Sequence, residues 1–194
     1  MKKLAVFPLP VVLLPGGLLP LKIFETRYLD MVANCLRHHE PFVVAPVLQE
    51  DSLNSQLKSI GTTGNITGWN SSTNGTLHIL VKGKKKVEII NPNTNTNGLI
   101  VSQVKEKVDE DSDPSPRFHH LLDFAESIQD SEIGSSDTNA PSAIFIAYRL
   151  AEQHDFNAAD KFSILSETTG AKKLELLEKI LVERQNSKVR NTLH

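Results

Sequence analysis

The stretch FPLPVVLLPGGLLPLKIFETRYLDMV, residues 7–32, decides the fold of this chain. Four prolines and the pair Gly16-Gly17 interrupt an otherwise apolar run. Because proline fixes φ and donates no amide hydrogen bond, neither a membrane-spanning helix nor one long strand can pass through it. We therefore expect a short strand over residues 3–7 that ends at Pro8, an apolar crossing outside regular secondary structure, and the start of a helix.

The helix is predicted by the spacing of its apolar residues. These recur at positions i, i+3, i+4, i+7 and i+8, which is one face of a helix: Tyr28, Met31, Val32, Cys35 and Leu36. The stripe predicts packing on a sheet, with Cys35 as a small buried hydrophobe rather than a nucleophile. Cys35 is the only cysteine, so no internal disulfide can form, which is typical of a cytoplasmic protein.

Strand patterns fill the chain up to residue 106. β-Branched or alternating runs predict strands over residues 42–48, 60–69, 77–81, 84–90 and 99–104, with Asn74-Gly75 as a hairpin turn. The polar segments 49–57 and 91–98 are predicted to be loops. About six strands and one helix are therefore expected in residues 1–107.

An acidic segment then separates this part from a helical one. Residues 106–116 hold five acidic residues and two prolines, which predicts an exposed linker that cannot bury itself. Beyond it the apolar period changes to 3.6, predicting helices over 118–128 and 141–151, one capped by Asn157, and one over 174–184, with a loop at 130–140. The expected class is α+β, with domains 1–107 and 117–194.

These motifs resemble the N-terminal domain of the Lon protease family, the LON domain that also occurs in cereblon. Glu25-Thr26-Arg27-Tyr28 is similar to the family's E-P-R-Y, with threonine in place of proline. Weaker similarities lie at Ile60-Gly61-Thr62, around Gly83 and in residues 160–167. The resemblance implies a PUA-like, barrel-like β half and a helical half, and structural roles for its motif positions: Pro15, Gly16, Pro20, Glu25, Arg27 and Tyr28. We expect Glu25 and Arg27 to pair, and Thr26 to cap the helix.

No catalytic motif is found. A full Lon protease also carries a nucleotide-binding module and a Ser-Lys peptidase, but the sequence contains no GxxxxGK[ST] phosphate loop and no identifiable nucleophile and base. The expectation is a free-standing, non-catalytic LON-type protein without cofactor. His38-His39 and His119-His120 are adjacent pairs whose side chains diverge by about 100° on a helix, so no metal site is expected.

The composition excludes little else. The 194 residues are 39% hydrophobic and 23% charged, with a net charge of -2, as in ordinary globular proteins. Residues 1–90 carry 10 basic and 6 acidic residues, so the two halves differ in the sign of their charge. The prolines break the N-terminal apolar run, so neither a signal peptide nor membrane attachment is expected.

Two binding functions follow. In the first, the leucines of the crossing bind unfolded or extended polypeptide or a partner protein, because side chains alternate along an extended segment and not all can point inward: Leu13, Leu14, Leu18, Leu19 and Leu21. The alternative is that both faces of the crossing are buried, one under the β half and one under the helices. In the second, the lysines of residues 82–86 bind RNA. Nucleic acid is disfavoured, since only Trp69 lies nearby to stack on a base.

Overall fold

The computed structural model describes residues 2–51, 54–72, 75–112, 114–118, 121, 142–153 and 156–192. The chain folds into two compact units, Met1–Lys107 and Val108–His194. The strands are β1 (Lys2–Leu9), β2 (Leu18–Ile23), β3 (Phe42–Asp51), β4 (Asn54–Leu57), β5 (Ile60–Ser71), β6 (Leu77–Thr94) and β7 (Ile100–Glu106). The helices are α1 (Thr26–His38), α2 (Ala143–Gln153), α3 (Ala158–Ser166) and α4 (Gly170–Thr192), with a 3-10 turn at Pro116–Phe118. The predicted α+β class is confirmed.

The strands of the first unit close into a ring. The sheet order is β1-β7-β6-β5-β3-β4, and β1 also pairs in parallel with β3, where Val6 faces Val43. β2 lies outside this path and pairs antiparallel with β6 from Leu18–Lys82 to Ile23–Leu77. Alternate residues of β1 and β3 enter two different apolar clusters, as the period of a strand requires.

Several predicted strand boundaries are wrong. β1 continues through Pro8, which faces Ala45 of β3. β2 forms where a crossing outside regular structure was expected; Pro20 is tolerated there because β2 pairs only with β6 among the described strands, and an edge strand can spare an amide. The loop predicted at 49–57 contains the end of β3 and β4, and β6 runs unbroken through Gly83 into the predicted loop at 91–98.

The predicted apolar stripe of α1 is confirmed. Tyr28, Met31, Val32 and Cys35 are buried, and Leu36 is partly buried against the same cluster. The ring of Tyr28 packs against that of Phe7, with centroids 4.2 Å apart. The predicted cap is wrong, because Thr26 is the first residue of the helix and Glu25 is the N-cap, without a side-chain capping bond.

The second unit contains α2, α3 and α4. The Asn157 side chain caps α3 as predicted, accepting a hydrogen bond of 2.8 Å from the Asp160 amide. Of the helix predicted at 118–128 only Phe118 and Leu121 are described, and both are buried. The rest of that helix and the loop predicted at 130–140 lie outside the described residues. No helix in the described ranges is both long and apolar enough to cross a membrane.

The acidic segment after β7 is partly buried, contrary to the prediction that it could not be. Asp109 forms an ion pair of 3.0 Å with Lys173, whose side chain is fully buried, and accepts a 3.1 Å hydrogen bond from the Tyr148 hydroxyl. Lys173 also donates to the carbonyls of Ile164 and Leu165 near the end of α3. A buried carboxylate is tolerated when a cation and a hydroxyl satisfy it, and composition alone does not reveal such partners.

Candidate binding surface

The crossing between β1 and β2 is hydrogen-bonded to β6 at Gly83. The Gly16 amide donates to the Gly83 carbonyl at 3.0 Å, and the Gly83 amide donates to the Gly17 carbonyl at 2.9 Å. A Cβ on Gly83 would overlap the Leu14 carbonyl oxygen, so only glycine allows this approach. Gly16 itself adopts a φ of +85°.

This attachment turns the first two candidate leucines inward. Leu13 is 2% exposed and Leu14 is fully buried. Both are therefore absent from the surface of this structure, contrary to the prediction that they contribute to it. Leu19 and Leu21 are partly buried against the cluster that contains Ile23.

Leu18 is the candidate leucine that remains outside, with 52% of its surface exposed. It lies on the outer face of β2 with Pro20 and Lys22, while the alternate residues point inward. The antiparallel register sets the neighbours of these three residues on β6, and β6 in turn is paired with β5.

Three rows of outward side chains result. They are Leu18–Lys82–Asn65, Pro20–Leu80–Gly68 and Lys22–His78–Asn70, each read from β2 through β6 to β5. We call these nine residues the outer face. Its middle row is apolar, and Leu80 is 36% exposed there. Gly68 contributes to the exposure of Leu80, because glycine has no side chain that could cover it. A Cβ at position 68 would meet only the Leu80 Cβ, at 3.9 Å.

The lysine run predicted as an alternative site does not form one patch. Lys84 and Lys85 are exposed, but Lys85 is bonded to Glu106 at 2.8 Å. Lys86 is only 5% exposed. Lys82 belongs to the outer face, beside Leu18.

The start of α1 is a structural cluster. Arg27 pairs with Glu25 at 2.7 Å, as expected for this motif, and also donates to the Gly98 carbonyl at 2.8 Å. Its guanidinium lies 4.7 Å from the centre of the Tyr28 ring. Burial raises the pKa of the Tyr28 hydroxyl, and the neighbouring Arg27 partly offsets this effect. The group joins α1 to the turn between β6 and β7.

A small pocket of about 110 Å³ lies beside the C-terminal part of α1 and is lined by Cys35, Leu36, His39, Glu40, Asn65 and Ile66. Burial, and secondarily the Glu40 carboxylate, raises the pKa of the Cys35 thiol to about 11. The thiol is therefore protonated at neutral pH. His38 and His39 are exposed, His119-His120 lies outside the described residues, and no described group of three His, Cys, Asp or Glu residues could hold a metal ion.

Comparison with known proteins identifies a family and solved structures that share this architecture. The family described as the ATP-dependent protease La (LON) substrate-binding domain matches residues 3–194. A Lon N-terminal domain protein from Xanthomonas campestris is 28% identical, with a TM-score of 0.78 over 92% of this chain and 98% of its own. The N-terminal domain of the Mycobacterium avium complex Lon protease has the same fold at 17% identity, with a TM-score of 0.65 over 91% of this chain and 96% of its own. No curated protein sequence matches. With nearly its whole length matched, the chain belongs to the LON substrate-binding domain family.

Proposed function

We propose that this protein is a non-catalytic module that binds unfolded or extended polypeptide, and that the outer face is its contact surface. The observation that carries the proposal is the apolar strip of Leu18, Pro20 and Leu80, exposed on a sheet whose other large apolar residues are buried or partly buried, except Trp69 of β5, which is 62% exposed. The family to which the chain belongs is described as a substrate-binding domain, which agrees with this role.

An extended segment is the class of partner that suits this surface. β2 pairs only with β6 among the described strands, so no described strand occupies its second edge, where an extended segment would form backbone hydrogen bonds of the kind made in strand addition. Pro20 removes one donor from the strand, which limits how many such bonds can form. Side-chain contacts with Leu18 and Leu80 would then supply most of the affinity.

The test is a titration of a fluorescent unfolded polypeptide, at low and moderate salt, against three proteins: wild type, Leu18→Ser and Val182→Ser. Val182 is the matched control, because it is 50% exposed but lies on α4. Leu18→Ser should weaken binding several-fold, because fully burying a leucine is worth about 1.5–3 kcal/mol and Leu18, 52% exposed, has about half of that left to gain, and Val182→Ser should not. Binding by apolar contact should also persist as salt rises.

Equal binding by wild type and Leu18→Ser, with both folded by circular dichroism, would contradict the proposal. Single-stranded RNA is included as a second ligand, with Lys84→Glu as the variant that tests the lysine run. RNA binding that falls steeply with salt, is lost in Lys84→Glu and is unaffected by Leu18→Ser would support nucleic-acid binding instead.

The non-catalytic part of the proposal has its own test. The sequence carries no phosphate loop, and the one cysteine has a protonated thiol. Purified protein should leave ATP and casein-like substrates intact over hours. Turnover that survives repurification would contradict this.

A further inference from the structure

The strands that form the outer face carry charges of one sign there. Glu40, which lines a pocket with Asn65 at one end of the face, is paired with Lys2 at 3.0 Å. β2, β5 and residues 77–87 of β6 contain no aspartate or glutamate. Lys22 and Lys82 stand in the two outer rows of the outer face, on opposite sides of the middle row with Pro20 and Leu80; Lys82 pairs with Leu18 and Lys22 with His78. Lys82 is partly buried and faces Leu18 in the strand register.

The rows also fix a spacing. Successive outward residues of β2 and of β6 are two residues apart, so on these strands the two outer rows lie four residues apart, or roughly 13 Å at about 3.3 Å per residue. An extended peptide aligned with β2 shows side chains to the face with the same period. Residue i of such a peptide would meet the row of Leu18 and Lys82, where the stem of a long side chain packs on Leu18 and its end group reaches Lys82, and residue i+4 would meet the row of Lys22 and His78. Residue i+2 would meet Pro20 and Leu80.

We infer that the outer face selects extended segments in which acidic residues at i and i+4 flank an apolar residue at i+2. This specificity rests on the proposed polypeptide binding and names the class of substrate for the same surface. Carboxylates would lie near Lys22 and Lys82, while basic flanks would meet like charge. An exposed ion pair contributes about 0.2–1 kcal/mol, so two pairs should favour acidic over neutral flanks by roughly 2- to 25-fold.

The experiment measures binding of short fluorescein-labelled peptides with one apolar centre and with glutamate, glutamine or lysine at both flanks. A fourth peptide of the same composition as the glutamate peptide carries its glutamates at i+1 and i+3. Wild type should bind the glutamate peptide most tightly and the lysine peptide most weakly, with the shifted peptide close to the glutamine peptide. The differences should shrink at about 1 M salt, where the screening length is about 3 Å.

The variant Lys22→Glu/Lys82→Glu should reverse the order, so that the lysine peptide binds best. Its control, Lys172→Glu/Lys179→Glu, changes the net charge equally on α4 and should leave the order intact. Equal affinity for glutamate and glutamine peptides in wild type would overturn this inference and leave polypeptide binding standing. Absence of binding by all four would overturn both. Displacement of the glutamate peptide by an equimolar single-stranded RNA would overturn the inference that the lysines select acidic peptides.

Discussion

Lys173 is a fully buried cation at the centre of the helical unit. Its ammonium pairs with Asp109, donates to carbonyls of α3 and lies 5.0 Å from the centre of the Tyr148 ring. Burial, and then the Asp109 carboxylate, raise the pKa of the Tyr148 hydroxyl well above its usual value, so it stays a donor to that carboxylate. Removing one partner from such a group leaves a buried charge without its counterion.

Lys173→Met should therefore destabilise the protein by about 3–5 kcal/mol, measured by chemical unfolding. Lys179→Met is the matched control on the same helix, because the Lys179–Glu183 pair is exposed and 4.0 Å long, and should change stability by less than about 0.5 kcal/mol. The double variant Asp109→Asn/Lys173→Met should lose less than the sum of the single losses, since the two residues interact. Strict additivity would mean that the pair is not coupled.

Cys35 should be chemically inert in the folded protein. The residue is 9% exposed and the pKa of its thiol is raised to about 11, so less than about one part in a thousand is thiolate at pH 7.4. Alkylation by iodoacetamide, followed by mass spectrometry, should be far slower than for the urea-unfolded chain at the same pH. The folded rate should rise with pH up to about 11, because more thiolate forms. Equal rates for folded and unfolded protein at pH 7.4 would show that the thiol is accessible and ionised.

At the scale of elements, Gly83 determines where the crossing lies. It bonds to both Gly16 and Gly17, and it leaves no room for a Cβ against Leu14. Gly83→Ala should cost about 1–3 kcal/mol, as overpacking does. Gly68→Ala is the matched control on the paired strand, where an added Cβ meets only ordinary contact, and it should stay within about 0.5 kcal/mol. Similar unfolding midpoints for the two variants would contradict the role of Gly83.

The elements differ in how far the sequence predicts them. The stripe of α1 and the Asn157 cap are local patterns, and both are predicted correctly. β2 is not, because Pro20 argues against a strand unless the strand is known to lie at an edge, and that depends on its pairing with distant β6. Glu25 rather than Thr26 is the N-cap, and its carboxylate pairs with Arg27 instead of capping an amide of the helix.

The residues of the candidate surface also divide into those that the sequence predicts and those that it does not. Alternation along an extended segment predicts that some leucines of residues 13–21 are exposed, but it does not say which. Leu14 is buried because the crossing packs against Gly83 of β6. Leu18 is exposed because its pairing with Lys82 places its side chain on the outward side of β2. Leu80 and Gly68 enter the surface from strands far away in the sequence, so no local motif reveals them.

At the scale of the whole molecule, we propose a domain boundary near Lys107, close to that expected from the sequence. The Lys107 amide donates to the Lys86 carbonyl in the first unit, while Glu110 is bonded to Thr168 in the second. Val108 between them is 84% exposed.

Trypsin should therefore cut first after Lys105 or Lys107, because residues 118–148 contain no lysine or arginine to compete. Mass spectrometry of the early fragments identifies the site. Lys105→Gln/Lys107→Gln, with Lys172→Gln as the control, should delay the first cut. Dominant early cleavage within residues 3–48 would count against this boundary.

Contact between the outer face and an extended polypeptide should be visible in hydrogen–deuterium exchange measured with and without a saturating unfolded polypeptide. Backbone amides of β2, together with those near Asn65–Asn70 on β5 and near His78–Lys82 on β6, should gain protection, while α4 should not change. Leu18→Ser should lose this protection under the same conditions. Protection confined to α1 or to the helical unit, with β2 unchanged, would contradict the account.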